Sequence, residues 1–376
     1  MLQEDLTILR DAARNWVSDR APIAALRRLR DAGAWAKGYD EATWADIVAL
    51  GWPGVIIPEA FGGSEFGYAA LGYVLEELGR TLAASPLHAT LAAAGALLIG
   101  GAEAQKQHWL PRIAAGEVTA ALAVDEGPHH APEHIALRAS QIDDGYVLNG
   151  TKRFAPDAGG AGLVIVAARL AGQAGDTGGL ILFLVEQGTP GLGVRPLHAV
   201  DNRGVADLSF AAVHVGAGQV LGAAGQGWAV LEPALDRARA TLAAEMLGTA
   251  MQAFEVTLDY LKTRTQFGQT IGTFQVLQHR AAKMFTELEL TRSAVAAALA
   301  AIDANAPDVP ALASLAKARA NDTLHLISNE MVQMHGGIGM TDAFDAGLYL
   351  KRARVAEALY GSSAYHRDRY ARIGGY

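Results

Sequence analysis

The spacing of apolar residues divides the chain into three regions, of which the first is helical. Leu71, Val74, Leu75 and Leu78 are separated by helical intervals, which places them on one face of a helix. The region is rich in Ala, Leu, Glu and Arg, which favour helix, and glycine and proline clusters divide it into several elements. We therefore predict an N-terminal helical domain over residues 1–118.

The second region changes to short apolar runs of the kind that form strands. Leu163–Val166 and Leu180–Val185 are rich in branched residues, and Gly and Pro are dense between the runs. Asp143-Asp144-Gly145 precedes another such run and is a hairpin signal. We predict a small antiparallel β domain over residues 119–225.

The third region is helical again. Leu231, Leu235, Leu242 and Met246 lie on one face of a long predicted helix. Two further helices are predicted, over residues 273–302 and 311–334. We expect a C-terminal helical bundle domain over residues 226–376. The order helical, β, helical predicts an α+β fold with three domains.

Composition excludes several classes of function. The chain of 376 residues has no cysteine, so it has neither a disulfide nor a thiolate metal site. A formal net charge of -8 argues against broad nucleic-acid binding. No uncharged apolar run reaches the roughly 20 residues that cross a bilayer, and the acidic N-terminus lacks a signal pattern. We expect a cytoplasmic protein.

Two strings in the third region contain residues that can bind a ligand. Arg264-Thr265-Gln266-Phe267-Gly268, followed by Phe274-Gln275, offers a cation for a phosphate and two rings for a flat group. The alternative is a helix C-cap with two core aromatics. Gln333–Thr341 contains three glycines after a predicted helix, so it either frees backbone amides for a ligand or forms a plain turn.

Together the two strings resemble those of the acyl-CoA dehydrogenase family, in the same order and at a fitting separation. Gly51–Gly63, Gly101–Pro111 and Gly145–Lys152 resemble the family's first region and its β-domain hairpin. The resemblance implies an N-terminal helical domain, a central antiparallel β domain and a C-terminal four-helix domain. It also implies FAD as cofactor, acyl-CoA as substrate and a separate electron-transfer flavoprotein as acceptor.

The resemblance further implies that FAD lies between subunits, bound mainly by a neighbour. The residues expected to contact its pyrophosphate and adenosine half are Arg264, Gln266, Phe267, Gln275, Gln333, Gly336 and Gly337. Ser362 is expected to contact the cofactor as well.

The family reaction needs a base, and this chain departs from the family there. A glutamate in a Y-E-G-T-like string removes the α-proton of the thioester while hydride leaves the β-carbon for the flavin. Tyr360 takes the place of that glutamate, and tyrosine titrates near pH 10, so it is a poor base. Some members place the glutamate just before an arginine that matches Arg239, but Ala238 is there. Glu245 shares the helical face of Ala238 and is either a relocated base or a salt-bridge residue.

The β domain departs from the family at the flavin as well. The family's T-E-P-x-A-G-S-D string is replaced by Val124–His130. The W-x-T string is replaced by Phe154-Ala155-Pro156, which lacks the hydroxyl that would face the flavin. Each loss falls at the reacting centre, while the strings for the adenosine half are kept.

These losses suggest the non-catalytic partner in a heteromeric acyl-CoA dehydrogenase. Such α2β2 assemblies act in steroid side-chain degradation, and Gly361–Arg367 resembles their tails. One alternative is a self-sufficient dehydrogenase with a displaced base or a different substrate, and another is a structural or regulatory subunit that binds no ligand alone. In either case we expect a homo- or hetero-oligomer with a subunit of the same family.

Two other sites are disfavoured on the sequence. His129, His130, Glu133 and His134 have no matching second half for a metal site. No residue orients His366 towards the adjacent Ser362-Ser363, which argues against a hydrolase.

Overall fold

A computed structural model describes the backbone of residues 3–376 and the side chains of residues 5–376. The helices of the described chain are α1 Gln3–Arg20, α2 Ile23–Asp31, α3 Glu41–Ala49, α4 Gly67–Arg80, α5 Leu87–Gly100, α6 Glu103–Ala114, α7 Trp228–Thr263, α8 Gln275–Asp303, α9 Val309–His335, α10 Ala346–Ala358 and α11 Ser363–Ile373. The strands are β1 Ala120–Ala123, β2 Arg138–Ile142, β3 Gly145–Pro156, β4 Leu163–Arg169, β5 Leu180–Glu186, β6 Leu192–Pro196, β7 Val205–Gly216, β8 Val220–Leu221, β9 Thr265–Gln266 and β10 Gln269–Thr270.

The chain forms two compact units. The first, which we call the helical unit, comprises the chain up to Leu26, Tyr68–Ala83 and Arg239–Tyr376. The second, the sheet unit, comprises Arg27–Gly67 and Ala84–Ala238. The predicted order of helices, sheet and helices is confirmed. The boundaries after residues 118 and 225 stay a prediction.

The helical unit is held together by apolar faces and by close backbone packing. Leu71, Val74 and Leu75 of α4 are buried as predicted. A Cβ atom on Gly79 of α4 would overlap the carbonyl oxygen of Glu245 in α7. Because glycine has no side chain, the two helices approach with their backbones in contact.

Two glutamates of α4 are buried with ion-pair partners, which the apolar pattern does not predict. Glu77 is fully buried and accepts hydrogen bonds from Arg14 at 2.8 and 3.2 Å. Glu76 lies 3.8 Å from Arg292 of α8. Burial raises the pKa of Glu76, and Arg292 opposes that shift.

The sheet unit is built on a sheet of eight strands in the order β6-β7-β3-β2-β4-β5-β8, with β1 beside β4. Its neighbours are antiparallel as predicted, except that β1 and β2 each pair with β4 in parallel. The hairpin at Asp143-Asp144 joins β2 to β3, with Ile142 opposite Gly145. Leu148, Val166, Phe183 and other alternating residues form its core.

The C-terminal region contains three long helices, α7 to α9, and two shorter ones. The predicted face of α7, which includes Leu242 and Met246, is buried. Helix α9 packs against α8, α10 and α11 and so lies at the centre of this bundle. Within the described residues, no helix is both long and apolar enough to span a bilayer.

Candidate functional site

The first of the two strings forms a tight hairpin at the end of α7. β9 and β10 pair with Gln266 opposite Gln269, so Phe267 and Gly268 form a two-residue turn. Their φ values are +54° and +77°, as a type I′ turn requires. Left-handed backbone is unfavourable for phenylalanine, and its side chain is 90% exposed. Phe267 is therefore not a core aromatic, and its only ring contact in the described structure is the edge-to-face contact with Phe274, at 6.2 Å.

The hairpin presents one cation and a free helix start. Arg264 is exposed, and its backbone carbonyl accepts a hydrogen bond from the Ile271 amide at 2.9 Å, which closes the hairpin. Helix α8 then begins at Gln275, with no side-chain cap on its first amides. An exposed guanidinium beside a helix N-terminus is an arrangement that binds phosphate groups.

The second string forms an open turn at the end of α9. Gly336 has φ of +62° and ψ of −138°, which favours glycine strongly. A Cβ atom at Gly336 or at Gly337 would meet nothing within 4 Å, so the backbone borders open space. Nearby, Met340 is 82% exposed.

A stack of three rings brings the two strings together. His335 lies between Tyr260 and Phe344, with ring centroids 4.2 and 4.4 Å away. Tyr260 is one helical turn before Arg264, whose amide donates to its carbonyl oxygen at 2.9 Å. Gly336 directly follows His335. The hairpin and the glycine turn therefore lie at the same end of the helical unit.

The surroundings of His335 favour its neutral form. Burial lowers its pKa, and the bond of Nδ1 to the carbonyl oxygen of Met331 at 2.7 Å opposes this only in part. The ring therefore packs against Tyr260, near the end of α7, and against Phe344, which follows α9.

The predicted cofactor-binding residues all lie at the surface. The exposed residues are Arg264, Gln266, Phe267, Gln275, Gln333, Gly336, Gly337 and Ser362. Ser362 differs from the others, because its hydroxyl accepts a hydrogen bond from the Tyr365 amide at 3.3 Å and caps α11. The contact of each residue with FAD stays a prediction.

The turn between α10 and α11 carries the position at which the family has its glutamate. Tyr360 is 5% exposed and has φ of +55°. Its carbonyl oxygen lies 3.0 Å from Nε2 of His366, while Ser363 donates to Asp322 at 2.7 Å. Because His366 and Ser363 contact other groups, the structure gives no support to a serine–histidine hydrolase pair.

The two other candidate base positions differ from each other. Ala238 is buried and has no ionisable group. Glu245 is 4% exposed, and Oε1 accepts hydrogen bonds from Nη2 and Nε of Arg352 at 2.7 and 3.0 Å. This geometry favours the salt-bridge alternative for Glu245. Arg239, next to Ala238, donates to the Tyr365 hydroxyl at 3.1 Å.

In the sheet unit, the Val124–His130 string contributes two half-buried carboxylates to a cluster of charged residues. Asp125 contacts Nδ1 of His130 at 2.9 Å, and Glu126 accepts a bond from Lys152 at 2.6 Å. Burial, which favours the neutral carboxyl, is outweighed by His130 and its neighbours, so the pKa of Asp125 is lowered. Lys152 is fully buried, and burial lowers its pKa. Sequence reasoning missed the pair of Glu126 with Lys152, because the two residues are 26 positions apart along the chain.

The neighbouring W-x-T replacement is a strained bulge. Phe154 has φ of +53°, and the pairing of β3 with β7 shifts between Lys152 and Ala155. The amide of Phe154 donates to Asp207 at 3.1 Å. In the described part of the chain, no group of three or more His, Asp or Glu residues is arranged so that it could hold a metal ion.

Three family models match the chain in the order of its regions. The acyl-CoA dehydrogenase N-terminal domain matches residues 3–117, the middle domain residues 131–213, and the C-terminal domain residues 225–374. The chain therefore belongs to the acyl-CoA dehydrogenase family, whose members are FAD-dependent oxidoreductases that act on CH–CH bonds.

Individual relatives agree with this assignment. The NADH-dependent acryloyl-CoA reductase of Anaerotignum propionicum is 31% identical over 87% of this chain and 84% of its own length. The mitochondrial isovaleryl-CoA dehydrogenase of Solanum tuberosum is 30% identical over 84% of this chain and 77% of its own.

Solved structures agree over the whole chain. Butyryl-CoA dehydrogenase from Megasphaera elsdenii has a TM-score of 0.91 at 25% identity and covers 100% of this chain and 99% of its own. A variant of the Tcur3481–Tcur3483 steroid acyl-CoA dehydrogenase has a TM-score of 0.88 at 31% identity and covers 100% and 99%.

Proposed function

We propose that the hairpin and the glycine turn bind the pyrophosphate and adenosine half of FAD. The observation that carries this proposal is the stacking of Tyr260 on His335, which brings the two strings to one end of the helical unit. The groups exposed there fit the ligand. Arg264 supplies positive charge for phosphate, Phe267 supplies a ring for a flat group, and the open backbone at Gly336 allows close approach.

We further propose that this chain is the base-lacking subunit of a heteromeric acyl-CoA dehydrogenase. Bound FAD accepts a hydride from the acyl-CoA, but the reaction also needs a group that takes the α-proton. Tyr360 and Ala238 occupy the two positions at which the family has its base, and Glu245 is ion-paired with Arg352. The glutamate then comes from a second subunit of the same family.

The relatives are consistent with such a partner. The steroid enzyme that is 31% identical to this chain has a name that pairs Tcur3481 with Tcur3483. By analogy, the substrate of the complex is a steroid-side-chain acyl-CoA, and a separate electron-transfer flavoprotein reoxidises the flavin. This chain completes the FAD site of the partner and holds the cofactor without moving a proton itself.

A self-sufficient dehydrogenase is the second candidate. Its support is the similarity to isovaleryl-CoA dehydrogenase, at 30% identity over 84% of the chain. In that case a base other than the family glutamate acts within this chain. A structural subunit that binds no ligand is the third.

The test is the visible spectrum of the chain purified alone and after co-expression with a glutamate-bearing family member. Our proposal predicts a colourless chain alone and flavin bands in the co-purified complex. Flavin bound to the chain alone would favour the self-sufficient enzyme, and a complex without flavin would favour the structural subunit.

A further inference from the structure

A buried lysine lies beneath the turn that carries Tyr360. Lys317 of α9 is fully buried. Its Nζ donates to Oδ1 of Asn321 at 2.6 Å, to the carbonyl oxygen of Ala356 at 3.0 Å and to that of Gly361 at 3.2 Å. An ammonium group has three hydrogens, so the three acceptors match its donors one for one.

The same turn is bound by two more side chains. Nδ2 of Asn321 donates to the carbonyl oxygen of Gly361 at 3.2 Å. The ring of His366, in α11, lies 3.0 Å from the carbonyl oxygen of Tyr360. The turn needs such support, since Tyr360 has φ of +55°, which is unfavourable for a residue with a bulky side chain. Side chains of α9 and α11 thus fix both carbonyls of the turn.

Lys317 can gain or lose its proton near neutral pH. Burial is the largest effect and lowers the pKa of Lys317 to about 7, Glu357 of α10 opposes it, and Arg239 of α7 and Arg352 of α10 add to it. A neutral amine has only two hydrogens, so one acceptor loses its bond when the proton leaves. The bond to Gly361 is the longest of the three, at 3.2 Å.

We propose that Lys317 is a positioning residue whose ammonium form holds the turn at Tyr360 and Gly361 in place, and that the turn loosens when Lys317 loses its proton. The relevance of this turn to acyl-CoA chemistry rests on the proposed function. The positioning itself does not, because every contact in it lies within this chain.

Hydrogen exchange of the full chain tests the proposal without flavin or substrate. Peptides that cover residues 359–363 are followed from about pH 6 to about pH 8.5, corrected for the intrinsic pH dependence of exchange. We expect protection of these amides to fall about tenfold over this range in the wild type. In Lys317→Met, protection is low and independent of pH. Lys351→Met, at an exposed lysine of α10, is the matched control and keeps the wild-type profile.

Asn321→Ala provides a second variant that keeps the buried lysine. It removes one bond to Gly361 and one acceptor of Lys317, so lower protection at acidic pH with a retained pH dependence supports the proposal. If Lys317→Met does not fold, the exchange profiles of Asn321→Ala and of the wild type test the proposal in its place. Protection that is independent of pH in the wild type would overturn the proposal, whatever the outcome for FAD binding.

Discussion

Glu245 and Arg352 form a buried ion pair in which two nitrogens of the guanidinium bind one carboxylate oxygen, at 2.7 and 3.0 Å. Glu245 is the acidic residue nearest in sequence to the family's second base position that shares its helical face. Both nitrogens come from α10, so the carboxylate is held inside the fold by a contact between two helices. We expect this contact between helices, and not proton abstraction, to be the role of Glu245.

We predict that Glu245→Ala destabilises the protein rather than abolishing proton abstraction. Removing one partner leaves a buried charge, so the free energy of unfolding falls by about 3–5 kcal/mol. Urea unfolding measures this change. Asp368→Ala, which breaks the exposed pair with Arg372 at 2.9 Å, is the control, and its effect is within about 1 kcal/mol. Unchanged stability in Glu245→Ala would show that the pair is not structural.

We expect Arg264 of the hairpin to contribute to FAD affinity. Arg264→Ala removes a charge-assisted bond to phosphate and is expected to weaken FAD binding about 10- to 100-fold in the complex, as measured by flavin fluorescence titration. Lys262, two residues earlier and 71% exposed, provides the control Lys262→Ala, which keeps wild-type affinity. Equal loss in both variants would mean that general positive charge, and not this hairpin, attracts the cofactor.

Phe267→Ala is expected to weaken FAD binding without changing stability. Its ring is 90% exposed, so its loss removes little buried surface from the folded chain. A ring that stacks on a flat ligand contributes about 1 kcal/mol, which corresponds to a roughly fivefold loss of affinity. The thermal midpoint of the chain without FAD serves as the control. A large drop of that midpoint with unchanged FAD affinity would assign Phe267 to folding.

We predict that Lys317 makes the free energy of unfolding depend on pH. Its folded pKa is lowered to about 7, whereas an unfolded lysine titrates near pH 10.4, so between these values the unfolded state binds more protons. The free energy of unfolding therefore rises with pH in this window, by at most about 1.4 kcal/mol per pH unit. The local turn loosens over the same range for a different reason, because the folded-state amine has only two hydrogens for its three acceptors once the proton has left.

The comparison of wild type with Lys317→Met isolates this effect. The free energy of unfolding of the wild type minus that of Lys317→Met is expected to rise between about pH 7 and pH 9. The same difference taken with Lys351→Met is expected to stay constant. A constant difference would mean that Lys317 keeps its proton throughout.

The periodic part of the fold is predictable from the sequence, since burial follows spacing. Leu71, Val74, Leu242 and Met246 are buried as their intervals predict. Ion pairs such as Arg14 with Glu77 are not predictable in this way, because no local sequence feature indicates which distant cation neutralises a buried carboxylate. The apolar pattern alone therefore places the helices but not the ion pairs between them.

The site was predictable in part. The sequence identifies the two ligand-binding strings, but it does not predict that the first forms a hairpin. The ring stack of Tyr260, His335 and Phe344 that joins the strings depends on tertiary packing. The exposure of Phe267 was also hidden, because a phenylalanine beside a glycine is compatible with a core position as well as with a turn. The sequence does not predict the three hydrogen bonds of Lys317 either, because a lysine in a helix is ordinarily a surface residue.

The most direct test of the account is flavin reduction by an acyl-CoA in the co-purified complex. In a complex that carries Tyr360→Phe in this chain, we predict that the acyl-CoA bleaches the flavin at a rate within about twofold of the wild-type rate. The reason is that the phenol of Tyr360 does not take the α-proton. Replacing the partner's glutamate by glutamine is predicted to slow bleaching by about 10²- to 10⁴-fold. Rapid bleaching of flavin bound stoichiometrically to this chain alone would contradict the account and place the base within these 376 residues.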